Sequence, residues 1–118
     1  MVNVERRRSV RVPVFQEEAA VIHAGDRELP VKLVDLSRSG ALVTVLDMPP
    51  LGSRNFATDE RLELSMHSKD SVLHVKARVV RTGPLFIAVE FIDEREDVLK
   101  TIAEKLSRVQ ARNKAARA

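Results

Sequence analysis

The chain contains no cysteine, tryptophan or tyrosine, and four phenylalanines are its whole aromatic complement. Without cysteine, disulfides, thiolate metal sites and cysteine nucleophiles are excluded. With aromatics at 3%, base stacking, the usual device for holding single-stranded nucleic acid, has little to work with. Only four glycines occur, and they are scattered, so no glycine-rich phosphate loop is present. No apolar run approaches the roughly 18 residues that span a bilayer. Arg6, Arg7 and Arg8 lead into Val12-Pro13-Val14 instead of a long apolar segment, which is unlike a secretion signal. The expectation is a soluble cytoplasmic protein without membrane insertion.

What is present suffices for one compact core. The 118 residues are 44% hydrophobic, the size and composition of a single domain, expected over residues 1–118. The formal net charge is +3, which tolerates anionic ligands without demanding DNA or RNA. Much of the positive charge is at the two ends, in Arg6 to Arg11 and in Arg108, Arg112, Lys114 and Arg117. Cations at the C-terminal end suit the macrodipole of a solvated helix terminus.

Hydrophobic periodicity organises the remainder. Ala19 to His23 and Glu28 to Leu33 read as a hairpin about Gly25-Asp26, and Ala41 to Leu46 as a more continuous apolar strand. Residues 47–60, with Pro49-Pro50, Gly52 and Asn55, read as a long loop. Leu62, Leu64 and Met66 alternate, as do Leu73, Val75, Ala77 and Val79. Gly83-Pro84 then turns the chain into Leu85 to Phe91. From about Glu94 the period lengthens, and Val98, Leu99, Ile102, Leu106 and Val109 form one helical stripe, with Glu104, Lys105 and Arg108 off it. The final residues, 113–118, are expected to fray. The fold class is therefore mainly β, a small antiparallel barrel followed by one C-terminal α-helix.

Two short motifs carry the chemistry. Arg7 and Arg11 form R-x-x-x-R, and Asp35, Ser37 and Gly40 form D-x-S-x-x-G at the junction of two strands. A guanidinium makes two parallel hydrogen bonds to phosphate or to O6 and N7 of guanine while its face stacks on a base, which lysine cannot do. The second motif offers a carboxylate acceptor, a hydroxyl, and a glycine that lets a ligand approach the backbone. Together they describe a receptor for a guanine-containing phosphate ligand. The plainer reading is that Asp35 and Ser37 satisfy backbone groups in a tight turn, with Gly40 a positive-φ hinge. A second R-x-x-x-R, Arg108 to Arg112, falls in the helix, where it places both side chains on one exposed face.

In this order and context the motifs resemble the PilZ family, bacterial receptor domains for cyclic di-GMP. The resemblance runs from about Glu5 to Leu106 and includes Arg11-Val12-Pro13-Val14, Gly40-Ala41-Leu42-Val43, Ala77-Arg78-Val79-Val80-Arg81 and Ile87-Ala88-Val89-Glu90-Phe91. It implies a six-stranded antiparallel PilZ-like barrel (17–93), an arginine-rich, flexible N-terminal arm (1–16) and a C-terminal helix (94–114). It also implies that Arg7 and Arg11 contact guanine Hoogsteen edges and phosphate. Asp35 would accept from guanine N1–H and N2–H, Ser37 would bond guanine or phosphate, and Gly40 would keep the surface clear. An arginine at position 6 goes, in the family, with an intercalated ligand dimer. Arg8 is a lesser candidate for the ligand site, since in an extended arm it faces away from its neighbours, and Arg38 adds a phosphate contact or points to water. Two features depart from the family: a loop lengthened around Arg54 to Thr58, and Ala88 where many members have glycine.

No cofactor, metal or catalytic role is expected. His23, His67 and His74 are isolated, and Ser37 lacks the glycine of a nucleophile elbow. Glu17-Glu18 and Glu94-Glu96 read as solvated surface. The functional expectation is a cyclic di-GMP receptor whose arm and surface change on binding to regulate an unidentified protein partner. The alternative is a ligand-independent adaptor of the same fold.

Overall fold

The computed structural model describes residues 10–15, 18–45, 56–68 and 70–117. Among these the chain forms β1 (Val12–Pro13), β2 (Ala19–Ala24), β3 (Arg27–Leu36), β4 (Gly40–Val45), β5 (Arg61–Ser68), β6 (Ser71–Thr82), β7 (Phe86–Phe91) and α1 (Glu96–Arg117). All pairings are antiparallel, in the order β1-β3-β2-β5-β6-β7-β4. A further pairing of β3 with β4 closes six strands into a barrel and leaves β1 outside it. The barrel and its following helix match the architecture expected from the sequence.

Period-two alternation fills the interior. Ile22, Val31, Leu33, Val43, Leu64, Val75, Val79 and Ile87 point inward and are fully buried, each worth about 1.5–3 kcal/mol of transfer free energy. Gly25, at φ 63°, takes the first position of the two-residue turn between Ala24 and Arg27, where a side chain would be strained. The long loop lies partly outside the described residues, at 46–55. From it, Phe56 is buried in the core, with the Arg27 guanidinium 4.5 Å above its ring.

The helix differs from the sequence reading in three respects. It continues to Arg117 instead of fraying from 113. Leu99, expected on the buried stripe, is exposed, while Val98, Ile102, Leu106 and Val109 are buried. Lys105, expected off the stripe, is only 4% exposed. Its ammonium pairs with Glu18 and donates to the carbonyl of His67 at 2.6 Å. Hydrophobic periodicity has no means of anticipating a buried lysine whose counter-charge lies at the far end of the chain. Glu18 is likewise largely covered, not the solvated acid its composition suggested.

Asp93 joins the last strand to the helix. It accepts from the backbone N–H of Lys76 (3.1 Å) and Arg95 (3.2 Å), and from Arg95 Nε (2.8 Å) and Nη2 (2.6 Å). The Arg95 bonds above all hold its carboxyl far below the usual range, against the effect of burial. A lowered carboxyl contributes stability above the unfolded-state pKa of about 3.9 and loses it as pH falls through the folded value. Asp93→Asn is expected to cost about 2 kcal/mol at pH 7. Urea denaturation from pH 7 to pH 2 should show the gap between wild type and variant begin to narrow below about pH 4; a constant gap would contradict this.

Candidate functional site

The site begins with an irregularity in β3. Leu33 lies opposite Val43 but Asp35 lies opposite Leu42, so Val34 is an extra residue in the ladder. Strand side chains alternate, so without this bulge Asp35 would follow Val31 and Leu33 into the core. With it, Leu36 takes the inward place, fully buried, and Asp35 turns to the outer surface, half-buried. The carbonyl of Val34 meanwhile accepts from the N–H of Val14 at 2.8 Å.

The same stretch docks the N-terminal arm. β2 accompanies β3 as far as Ala19 opposite Lys32, and Glu18 O accepts from Leu33 N–H at 2.9 Å. Beyond that point β1 takes the vacated edge, with Pro13 opposite Asp35 and Val12 opposite Leu36. Val12 and Val14 bury their side chains in the core, while Arg11 and Phe15 remain exposed. Arg11 and Asp35, two dozen residues apart in sequence, thus interact electrostatically. Burial pushes the Asp35 carboxyl above the ordinary aspartate range, against the pull of Arg11 and of a hydrogen bond from the Leu42 backbone N–H.

The structure gives Ser37 and Gly40 local duties. Ser37 is buried, and its Oγ accepts from the N–H of Ser39 (3.2 Å) and of Gly40 (3.1 Å). Its own N–H donates to Gly40 O at 2.9 Å, closing the turn that presents Asp35 and leaves Arg38 and Ser39 exposed. Gly40 has no positive φ, so the hinge reading is corrected. It is a strand residue opposite Glu90, and a Cβ there would collide with the carbonyl oxygen of Val89. Arg6, Arg7 and Arg8 lie outside the described residues.

Sequence reasoning missed a second cluster, on the outer face of β2, β5 and β6. His23 and His74 are isolated in the chain, yet Ser65 Oγ lies 3.0 Å from His23 Nε2 and 2.8 Å from His74 Nδ1. Glu28 lies 3.4 Å from His23 Nδ1 and Glu63 3.5 Å from His74 Nδ1. Strand register brings these residues together, and no local spacing announces it. Among the described residues, no group of three His, Cys, Asp or Glu is arranged to hold a metal.

Comparison with known proteins adds the following. The family model described as the PilZ domain matches residues 5–108. No curated protein sequence matches the chain. Among solved structures, the PilZ domain with c-di-GMP of YcgR from Escherichia coli is 21% identical, with a TM-score of 0.70 over 96% of this chain and 99% of that one. The PilZ domain of CeSA from a cellulose-synthesizing bacterium is 15% identical, with a TM-score of 0.70 over 86% and 99%. The MrkH–c-di-GMP complex of K. pneumonia is 14% identical, with a TM-score of 0.72 over 92% of this chain and 53% of that one.

The collision at Gly40 generates a prediction. Gly40→Ala must displace β4 from β7 and is expected to cost about 1–3 kcal/mol of stability with no ligand present. Denaturant unfolding checks it; an unchanged midpoint would return the glycine to a role in ligand approach.

Proposed function

We propose that this chain, which belongs to the PilZ domain family, is a non-catalytic receptor for cyclic di-GMP. The observation that carries this reading is the meeting of Arg11 with an outward-turned Asp35 across the β1–β3 pairing. Asp35 accepts from guanine N1–H and N2–H, an edge that only guanine presents among the common bases. Arg11 and Arg7 donate to O6, N7 and phosphate, and their planar faces stack on the bases. Ser37 holds the turn under the ligand, and Arg38 beside it reaches phosphate. Gly40 belongs to the site through the strand packing that fixes this turn.

The ligand is taken up as an intercalated dimer, with Arg6 as the additional contact. Binding adds charge-assisted hydrogen bonds from the arginines of the arm, whose β1 segment already lies along β3. The altered surface then regulates a protein partner in the cytoplasm. A ligand-independent adaptor is disfavoured by the two intact sequence motifs and by the nearness of Arg11 to Asp35.

Calorimetric titration with cyclic di-GMP, with GTP as control, tests the reading. Wild type is expected to bind cyclic di-GMP selectively, at two ligands per chain. Arg11→Ala and Asp35→Ala are each expected to weaken binding about 10- to 100-fold, the loss of charge-assisted hydrogen bonds. Failure of a folded wild type to bind would overturn the proposal; a stoichiometry of one would overturn the dimer alone.

The pH dependence follows from the raised carboxyl of Asp35. Guanine needs the carboxylate as acceptor, so affinity should be full near neutrality. It should decline on acidification at a higher pH than an ordinary aspartate would give. Titrations at stepped pH values on wild type and Asp35→Asn check this, since the variant should lack the acid decline.

A further inference from the structure

The free edge of β1 is held by the other end of the chain. Among the described residues, β1 pairs with β3 on one side only. Asn113, near the C-terminal end of α1, donates from Nδ2 to Pro13 O at 2.7 Å. Pro13 in turn lies opposite Asp35, and Arg11 stands two residues away. Proline has no N–H, so at this residue the edge offers only its carbonyl, and Asn113 takes it.

A second tie lies a few residues on. Glu18, beside β2, accepts from the buried ammonium of Lys105 and stands 3.5 Å from Arg112 Nη2. As the helix advances from Lys105 to Asn113, its contacts thus step from Glu18 back to Pro13. Its last turns thus reach β1, two residues from Arg11.

Charge gives this arrangement a direction. Arg108, Arg112 and Lys114 crowd the end of the helix, and the arm carries Arg6, Arg7, Arg8 and Arg11. Arg11 and the cationic helix end are held near each other against their mutual repulsion, with Asp35 beside the first and Glu18 beside the second. An anion with two phosphates bound at the arm would relieve that repulsion, and so favour docking of the helix.

We propose that the last turns of α1 are a working part of the ligand site. Asn113 is a positioning residue that fixes β1 so that Arg11 faces Asp35, and ligand binding at the arm tightens the docking of the helix end. This rests on the receptor reading above. Linkage makes the effect reciprocal: the factor by which helix docking raises affinity is the factor by which ligand favours docking.

The test pairs calorimetry with hydrogen exchange on the full chain, using cyclic di-GMP as probe. Asn113→Ala is expected to weaken binding about fivefold, the worth of one ordinary hydrogen bond. Asn113→Gln, which keeps an amide donor, should recover part of the loss. Alanine is the better helix former, so a loss of affinity does not come from unravelling of α1. In wild type, ligand should slow exchange across residues 106–117, and in Asn113→Ala that slowing should diminish. Normal binding by Asn113→Ala, or unchanged helix exchange in a wild type that binds, overturns the inference and leaves the receptor reading intact. No binding by wild type overturns both, and the wild-type titration distinguishes the cases.

Discussion

The extra residue at Val34 sets the positions of the groups at the site, because side chains on a strand alternate and a single insertion reverses every later one. It sends Leu36 into the barrel and Asp35 out of it. It also frees a carbonyl to accept from Val14 N–H, which helps seat the arm along the same strand. Without the bulge, a carboxylate would be directed into an apolar interior, at a cost that burial of an unpaired charge makes prohibitive. The outward aspartate and the docked arm are therefore two results of one backbone feature. Arg11 gains its place by chain geometry, since Val12 and Val14 are buried in the core and leave it at the surface.

Polar ties then fix what surrounds the site. The turn after β3 is internally satisfied through Ser37, so its shape does not wait on a ligand. Asp93 clamps Arg95 and the backbone of β6 at the start of the helix. Lys105 and Asn113 fasten the later part of the helix to Glu18 and Pro13. A buried lysine with a carboxylate partner costs more to break than it adds to stability over an apolar pair. Its consequence here is to specify one seat for the helix against the arm. The C-terminal helix thus adjoins the region that bears the arginines as well as closing the core.

Much of this was legible in the sequence, and the parts that were not share a cause. Alternation at Leu62 to Met66 and Leu73 to Val79, and the stripe from Val98 to Val109, reported the barrel and its helix because burial imposes those periods. Motif order revealed the family, since R-x-x-x-R and D-x-S-x-x-G read as one site only when the first precedes and the second follows the first hairpin. Burial of Lys105, exposure of Leu99, and the reason for glycine at position 40 were invisible. The lysine depends on Glu18 and the glycine on the Val89 carbonyl, partners distant in sequence, and the leucine on how the helix is rotated against the barrel. The His23–Ser65–His74 arrangement was hidden for the same reason, because strand register, not spacing, creates it.

In the proposed function, Arg11 and Asp35 form one guanine-recognising unit across β1 and β3. Its most direct test is an amide NMR titration of the full chain with cyclic di-GMP. The account predicts that the largest shifts fall on Arg11, Asp35 and Leu42, whose N–H donates to the Asp35 carboxylate. Shifts confined to other faces of the barrel, such as the outer surface around Ser65, would contradict it.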